Sequence, residues 1–109
     1  MGAQDETLAF LRAALAGERG GPVETIETHI SVVLMAGDRA WKLKRAVKLP
    51  YLDFSTPDLR LAAARTELAL NRRTAPGLYL GLRRIARAPD GGLRFGDDGP
   101  LVDVVVEMR

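Results

Sequence analysis

RAWKLKRAVKLPYLDFSTPDLRLAAARTELALNRRT, residues 39–74, changes its side-chain period partway along. Arg39 to Lys44 alternates, with Ala40, Lys42 and Lys44 on one side and Trp41 and Leu43 on the other, which is the period of a strand. From Ser55-Thr56-Pro57-Asp58 the grammar becomes helical: hydroxyl cap candidates, a proline in the first turn, then an acid near the positive end of the dipole. Leu61, Ala64 and Leu68, with Ala63 and Leu70 beside them, form an apolar stripe, and Pro76-Gly77 closes a helix over 56–74. Pro50 to Phe54, between the two, reads as an irregular connector.

Working outward, Asp5 to Ala16 repeats Leu8, Leu11 and Leu15, begins with acids and meets Gly17, which predicts a short amphipathic helix on the outside of the domain, within an N-terminal segment 1–19. Past the Gly20 to Pro22 break, Val23 to Thr28 and Ile30 to Met35 are rich in β-branched residues and turn at Ala36-Gly37-Asp38, so 23–48 reads as a three-strand meander. Beyond the helix, Leu78 to Ala88 and Leu93 to Phe95 read as strands around a Pro89 to Gly92 turn, and Leu101 to Met108, the most apolar run, as a central strand. The expected class is α+β: an antiparallel sheet of about five strands, one main helix after the third strand, and an extra N-terminal helix.

The 109 residues, 47% apolar and 28% charged, fit one soluble globular domain over 1–109. With no cysteine there are no disulfides, thiolate metal sites or cysteine nucleophiles, and the one histidine, His29, cannot build a zinc site alone. No apolar run approaches the ~20 residues of a membrane span. Asp5 and Glu6 stand where a signal peptide would carry basic residues, so the expected location is the cytoplasm. The net charge of +2 conceals a strong local bias, because Arg39 to Arg87 holds twelve basic residues against three acidic ones. Such a bias attracts anions, either a nucleic-acid backbone or the phosphates of a small nucleotide, unless it is a solvated helix face carrying Arg60, Arg72 and Arg73. Trp41, Tyr51, Phe54 and Tyr79 are not spaced like a base-stacking platform, which weakens the nucleic-acid class.

ETHIS, AGDRAWKLKR, LDFST and LNRR followed by TAPGLYL occur in order between Glu27 and Leu80. In these motifs the chain resembles the N-terminal part of bacterial aminoglycoside phosphotransferase-like proteins, of the type often fused to a P-loop ATPase domain. The resemblance implies a protein-kinase-like small lobe that holds ATP. Ala40-Trp41-Lys42-Leu43 has the small-apolar-lysine-apolar alternation of the kinase strand whose lysine reaches the nucleotide phosphates. Lys44 faces the same way, so the motif leaves both lysines as candidates, with Lys42 at the offset from Ala40 that the kinase strand uses. Glu67 is the one acid of the helix beyond its first turn and is the candidate partner for the lysine. No glycine-rich G-x-G-x-x-G precedes the strand. The corresponding turn offers backbone amides, the hydroxyls of Thr28 and Ser31, and His29.

By the same resemblance, Glu107 and Met108 fall where the kinase hinge should contact adenine, flanked by Val106. Phosphoryl transfer also needs an acceptor-orienting aspartate and magnesium ligands, which these residues do not supply. The implied reading is an ATP-binding small lobe, inactive alone, whose partner is a C-terminal large lobe or downstream domain, with magnesium bound only when that lobe is present. The alternative is a stand-alone basic module for nucleic acid or a protein partner. A lobe surface left uncovered would also invite self-association.

Overall fold

A computed structural model of the chain describes Gly2 and residues 4–109; Met1 and Ala3, in the segment expected to lead into the first helix, lie outside the described residues. The elements in chain order are α1 (Asp5–Arg19), β1 (Glu24–Glu27), β2 (Ser31–Ala36), β3 (Arg39–Lys44), β4 (Lys48–Leu49), β5 (Leu52–Asp53), α2 (Pro57–Thr74), β6 (Tyr79–Arg87), β7 (Leu93–Phe95) and β8 (Leu101–Met108). Six strands form one sheet in the order β1-β2-β3-β8-β6-β7, every ladder antiparallel. The class is α+β as the sequence predicts, with six sheet strands where about five were expected. Among the described residues no helix is long and apolar enough to cross a membrane.

The sheet is covered by one helix on each face. On one side α1 buries Leu11 and Leu15 against Val32, Leu34, Trp41, Leu43, Ile85 and Val105. On the other, Leu61 and Ala64 of α2 meet Val104 and Val106. Because β8 touches both clusters through alternate residues, the run Val104-Val105-Val106 is fully buried, as a central strand requires.

Local chemistry sets most boundaries. Thr56 caps α2 by accepting a hydrogen bond from the Leu59 N–H at 3.2 Å, with Pro57 in the first turn. The first helix does not stop at Gly17 as its sequence suggests. It continues to Arg19 and is closed by Gly20, whose φ of 71° suits a left-handed cap. Residues 48–53 correct the reading of an irregular connector: Lys48 pairs with Asp53 and Leu49 with Leu52, a two-stranded ribbon around Pro50 and Tyr51. Its segments are too short for hydrophobic periodicity to reveal.

A larger correction concerns Arg60, which does not belong to a solvated basic face. It is 4% exposed, and its guanidinium donates to Asp103 Oδ1 at 2.9 Å, to the Phe54 carbonyl at 2.8 Å and to the Val102 carbonyl at 3.2 Å. Asp103 sits past the last β3–β8 pair, Leu43 with Val105, and beside a bulge in the β6–β8 ladder. Gln4 enters the same opening: its amide nitrogen donates to Asp103 Oδ2 and the Lys44 carbonyl, and its oxygen accepts from the Ala46 N–H. Burial pushes the Asp103 carboxyl above its ordinary value, against the pull of Gln4, Arg60 and the Val104 N–H. Removing the carboxylate by Asp103→Ala leaves a permanently charged guanidinium buried without its partner, so urea unfolding is expected to show a loss of about 3–5 kcal/mol. A loss under about 1 kcal/mol would mean that the junction contributes little.

Candidate functional site

The register of β3 decides which side chains share a face, because residues directly opposed in antiparallel strands project to the same side. Ala40 is paired with Met35 and Met108, Lys42 with Val33 and Val106, and Lys44 with Ser31. All of these emerge on the side that carries α2, whereas Trp41 and Leu43 enter the α1 core, as their alternation predicts. The helix lies over β8 and β6, burying Val106. Val33, Met35, Ala40 and Met108 stay only half-buried. They form an apolar floor beside the two lysines, and Ile26, opposite Val33, extends it as an exposed side chain.

Glu67 comes to this face from the third turn of α2. Its carboxylate is shared: Lys42 Nζ donates to Oε2 at 3.0 Å, and Lys44 Nζ donates to Oε1 at 2.5 Å. The two lysines that the motif could not separate are thus both brought to the one acid expected to hold one of them. Their side chains are 29% exposed for Lys42, 11% for Lys44 and 15% for Glu67. Lys44 also lies over the Phe54 ring, 5.4 Å from its centroid. Burial raises the Glu67 carboxyl, but hydrogen bonds and charge from Lys44 and Lys42 outweigh it and hold the group below its ordinary value. Two ammonium groups on one carboxylate leave the cluster with one excess positive charge beside an apolar floor. That excess charge is an electrostatic arrangement that attracts anions.

The remaining sequence candidates have other surroundings. The Thr28 hydroxyl accepts from the Ile30 and Ser31 N–H groups at 3.3 and 3.0 Å, and the Thr28 N–H donates to the Ser31 carbonyl, so the β1–β2 turn satisfies much of its own hydrogen bonding. Arg45 donates to the Thr28 carbonyl at 2.9 Å, adding a cation that the sequence reading did not place at this turn. Ser31 stands on the lysine face, and His29 is exposed on the turn. The Glu107 side chain points into the opposite face, where Oε2 accepts from Trp41 Nε1 at 2.8 Å. Main chain at Glu107 and Met108 is laddered on both sides, to β3 and to β6.

Phe54 is a site residue that sequence reasoning missed. Its place in the LDFST motif drew attention to the helix cap rather than to the ring. Hollows of about 480 and 360 Å³ on the surface are lined by neither lysine nor Glu67: Arg19, Pro22 and the floor residue Met35 border the first, and Arg84 and Phe95 the second.

Stability should report the Glu67 cluster through pH. The unfolded carboxyl titrates near its ordinary value of 4.5 and the folded one lower, so the contribution is complete above about 4.5 and lost as pH falls through the folded value. Glu67→Gln is expected to cost about 1–2 kcal/mol at neutral pH, with partial exposure of Lys42 limiting the effect. Urea unfolding of both proteins should show this gap closing as pH falls from about 4.5 through the lower folded value. A gap that stayed constant would assign the stabilisation to something other than the ionised carboxylate.

Comparison with known proteins gives sequence relatives without assigned roles. Seventy residues, 64% of the chain, are 41% identical to proteins of Mycobacterium bovis and of two Mycobacterium tuberculosis strains, each named as uncharacterized. The matched stretch spans 14% of the length of those relatives. No protein-family model matches the chain, and no solved structure matches it.

Proposed function

We propose that this chain is a kinase-like small lobe that binds ATP, part of an aminoglycoside phosphotransferase-like small-molecule kinase and without transferase activity alone. The observation that carries the reading is the meeting of Lys42 and Lys44 on β3 with Glu67 on α2, on the face shared with Ala40 and Met108. A strand lysine held by a helix glutamate is the pair that positions nucleotide phosphates in kinases. Ala40, small and two residues before Lys42, leaves room above the floor for a purine, with Val33 and Met108 as its apolar contacts. Val106 supports this floor from within the α2 core rather than lining it.

In this reading the small lobe binds and orients the triphosphate through ammonium groups. Acceptor orientation and magnesium ligation belong to a large lobe outside this chain, and the acceptor is a hydroxyl of a small molecule. The self-satisfied β1–β2 turn, with Thr28 and Ser31, would cover the phosphates mainly by position, and Arg45 adds positive charge there.

Titration of the ¹⁵N-labelled chain with ATP and magnesium tests the proposal. Amide shifts are expected at Ala40, Lys42 and Met108, with weak affinity because only one wall of the pocket is present. Lys42→Ala should reduce them by about tenfold in affinity or more. Absence of shifts at these positions, or affinity unchanged by Lys42→Ala, would refute the phosphate role of this face.

A further inference from the structure

The two lysines on Glu67 are not equivalent, and the difference divides their work. We propose that Lys44 is a resident counter-ion that fixes Glu67 in place, which frees Lys42 to leave the carboxylate and meet a phosphate oxygen. The inference rests on the ATP-binding reading above and makes Lys44 a positioning residue within it.

Each ammonium group occupies its own carboxylate oxygen, Lys42 on Oε2 and Lys44 on Oε1, so departure of one need not displace the other. Lys44 is the more enclosed, at 11% exposure against 29%, and is covered by the Phe54 ring. Phe54 is itself tied down, since its carbonyl accepts from Arg60, whose guanidinium is locked on Asp103. This chain of contacts holds Lys44 from the interior of the domain, whereas Lys42 is bounded by the open floor. Distance along the strand agrees. At about 3.3 Å per residue, Lys42 stands roughly 7 Å from Ala40 and Lys44 roughly 13 Å.

Energetics explains why a second lysine is useful. With a single lysine, moving the ammonium to a phosphate would strip a half-buried carboxylate of its charge partner, and the penalty for an unsatisfied buried group would be subtracted from nucleotide affinity. With Lys44 in place the carboxylate keeps a cation throughout. The excess positive charge of the cluster is then available to the ligand rather than locked in an internal pair.

The test uses inorganic tripolyphosphate and ATP on the 109-residue chain, reading the lysine side-chain ammonium signals by NMR. In the wild type, ligand should shift the Lys42 Nζ signal and leave that of Lys44 nearly unmoved. Lys42→Met should lower affinity about tenfold or more, and adding Glu67→Gln should not restore it. Lys44→Met should also weaken binding, because Lys42 then becomes the sole partner of Glu67. Here the double variant Lys44→Met/Glu67→Gln should recover affinity to within about threefold of wild type, and Lys44→Arg should behave as wild type. Thermal unfolding of each variant confirms that a folded protein is being titrated, and if Lys44→Met does not fold, the ammonium shifts of the wild type decide alone. A Lys44 signal that moves while Lys42 stays still, or rescue of Lys42→Met but not of Lys44→Met by Glu67→Gln, would overturn the division of labour while leaving ATP binding intact. Absence of any ligand response in the wild type would instead remove the underlying nucleotide reading, and the proposal with it.

Discussion

Asp103 places a carboxyl group inside the sheet, and four separate segments are arranged around the need to satisfy it. Gln4 at the start of α1, Arg60 in the first turns of α2, the Val104 amide of its own strand and the opening beyond the end of β3 all converge there. A buried carboxyl without partners would be costly, so once its strand is central the neighbouring helices have little freedom in where they begin. Arg60 in turn fixes Phe54 and the entry angle of α2, and that angle determines where Glu67 arrives on the lysine face. The polar junction and the candidate phosphate site are therefore two ends of one set of contacts. One end, at Arg60 and Asp103, is buried, and the other is partly exposed.

The strong positive bias in the middle of the sequence looks different once folded. Arg83 forms a two-pronged pair with Glu18, and Arg87 does the same with Glu6, so acids of α1 are spent on bases of β6. Arg72 is bound to the carbonyls of Tyr79 and Leu80 beside the ladder irregularity before Gly81. Part of the bias is thus offset by long-range pairing with acids, while Lys48, Arg65 and Arg73 stay exposed and the Lys42, Lys44 and Glu67 cluster keeps a surplus of one positive charge on its face. Charge counted along a chain overstates charge on a surface whenever sequence-distant segments of opposite sign are stacked face to face.

How far the sequence could be read depended on whether a residue's role was local. The β3 alternation, the Thr56 cap and the apolar β8 run are short-range signals, and each appears in the structure as read. Glu67 was legible because it was the lone acid of its helix beyond the first turn. Arg60 was not, because an arginine between leucines in a helix looks like a solvated residue until a buried carboxylate more than forty positions away is brought beside it. The same holds for Gln4, whose side chain bridges the ends of two strands at Lys44 and Asp103. Nor could spacing show that two lysines would divide one carboxylate, since same-facing positions on a strand are ambiguous until the opposing helix is placed.

Strand order has a further implication for biosynthesis. The segment that separates β3 from β6 in the sheet is Leu101–Met108, the last strand of the series, so the β1-β2-β3 meander and the β6-β7 hairpin stay unjoined until it has left the ribosome. A nascent chain lacking it would present two open edges and two half-covered apolar faces, the condition in which chaperones are recruited and strands pair with the wrong neighbour. Closure by a late, sequence-distant strand also gives the topology a large share of non-local pairings, which slows folding relative to a helical domain of equal size.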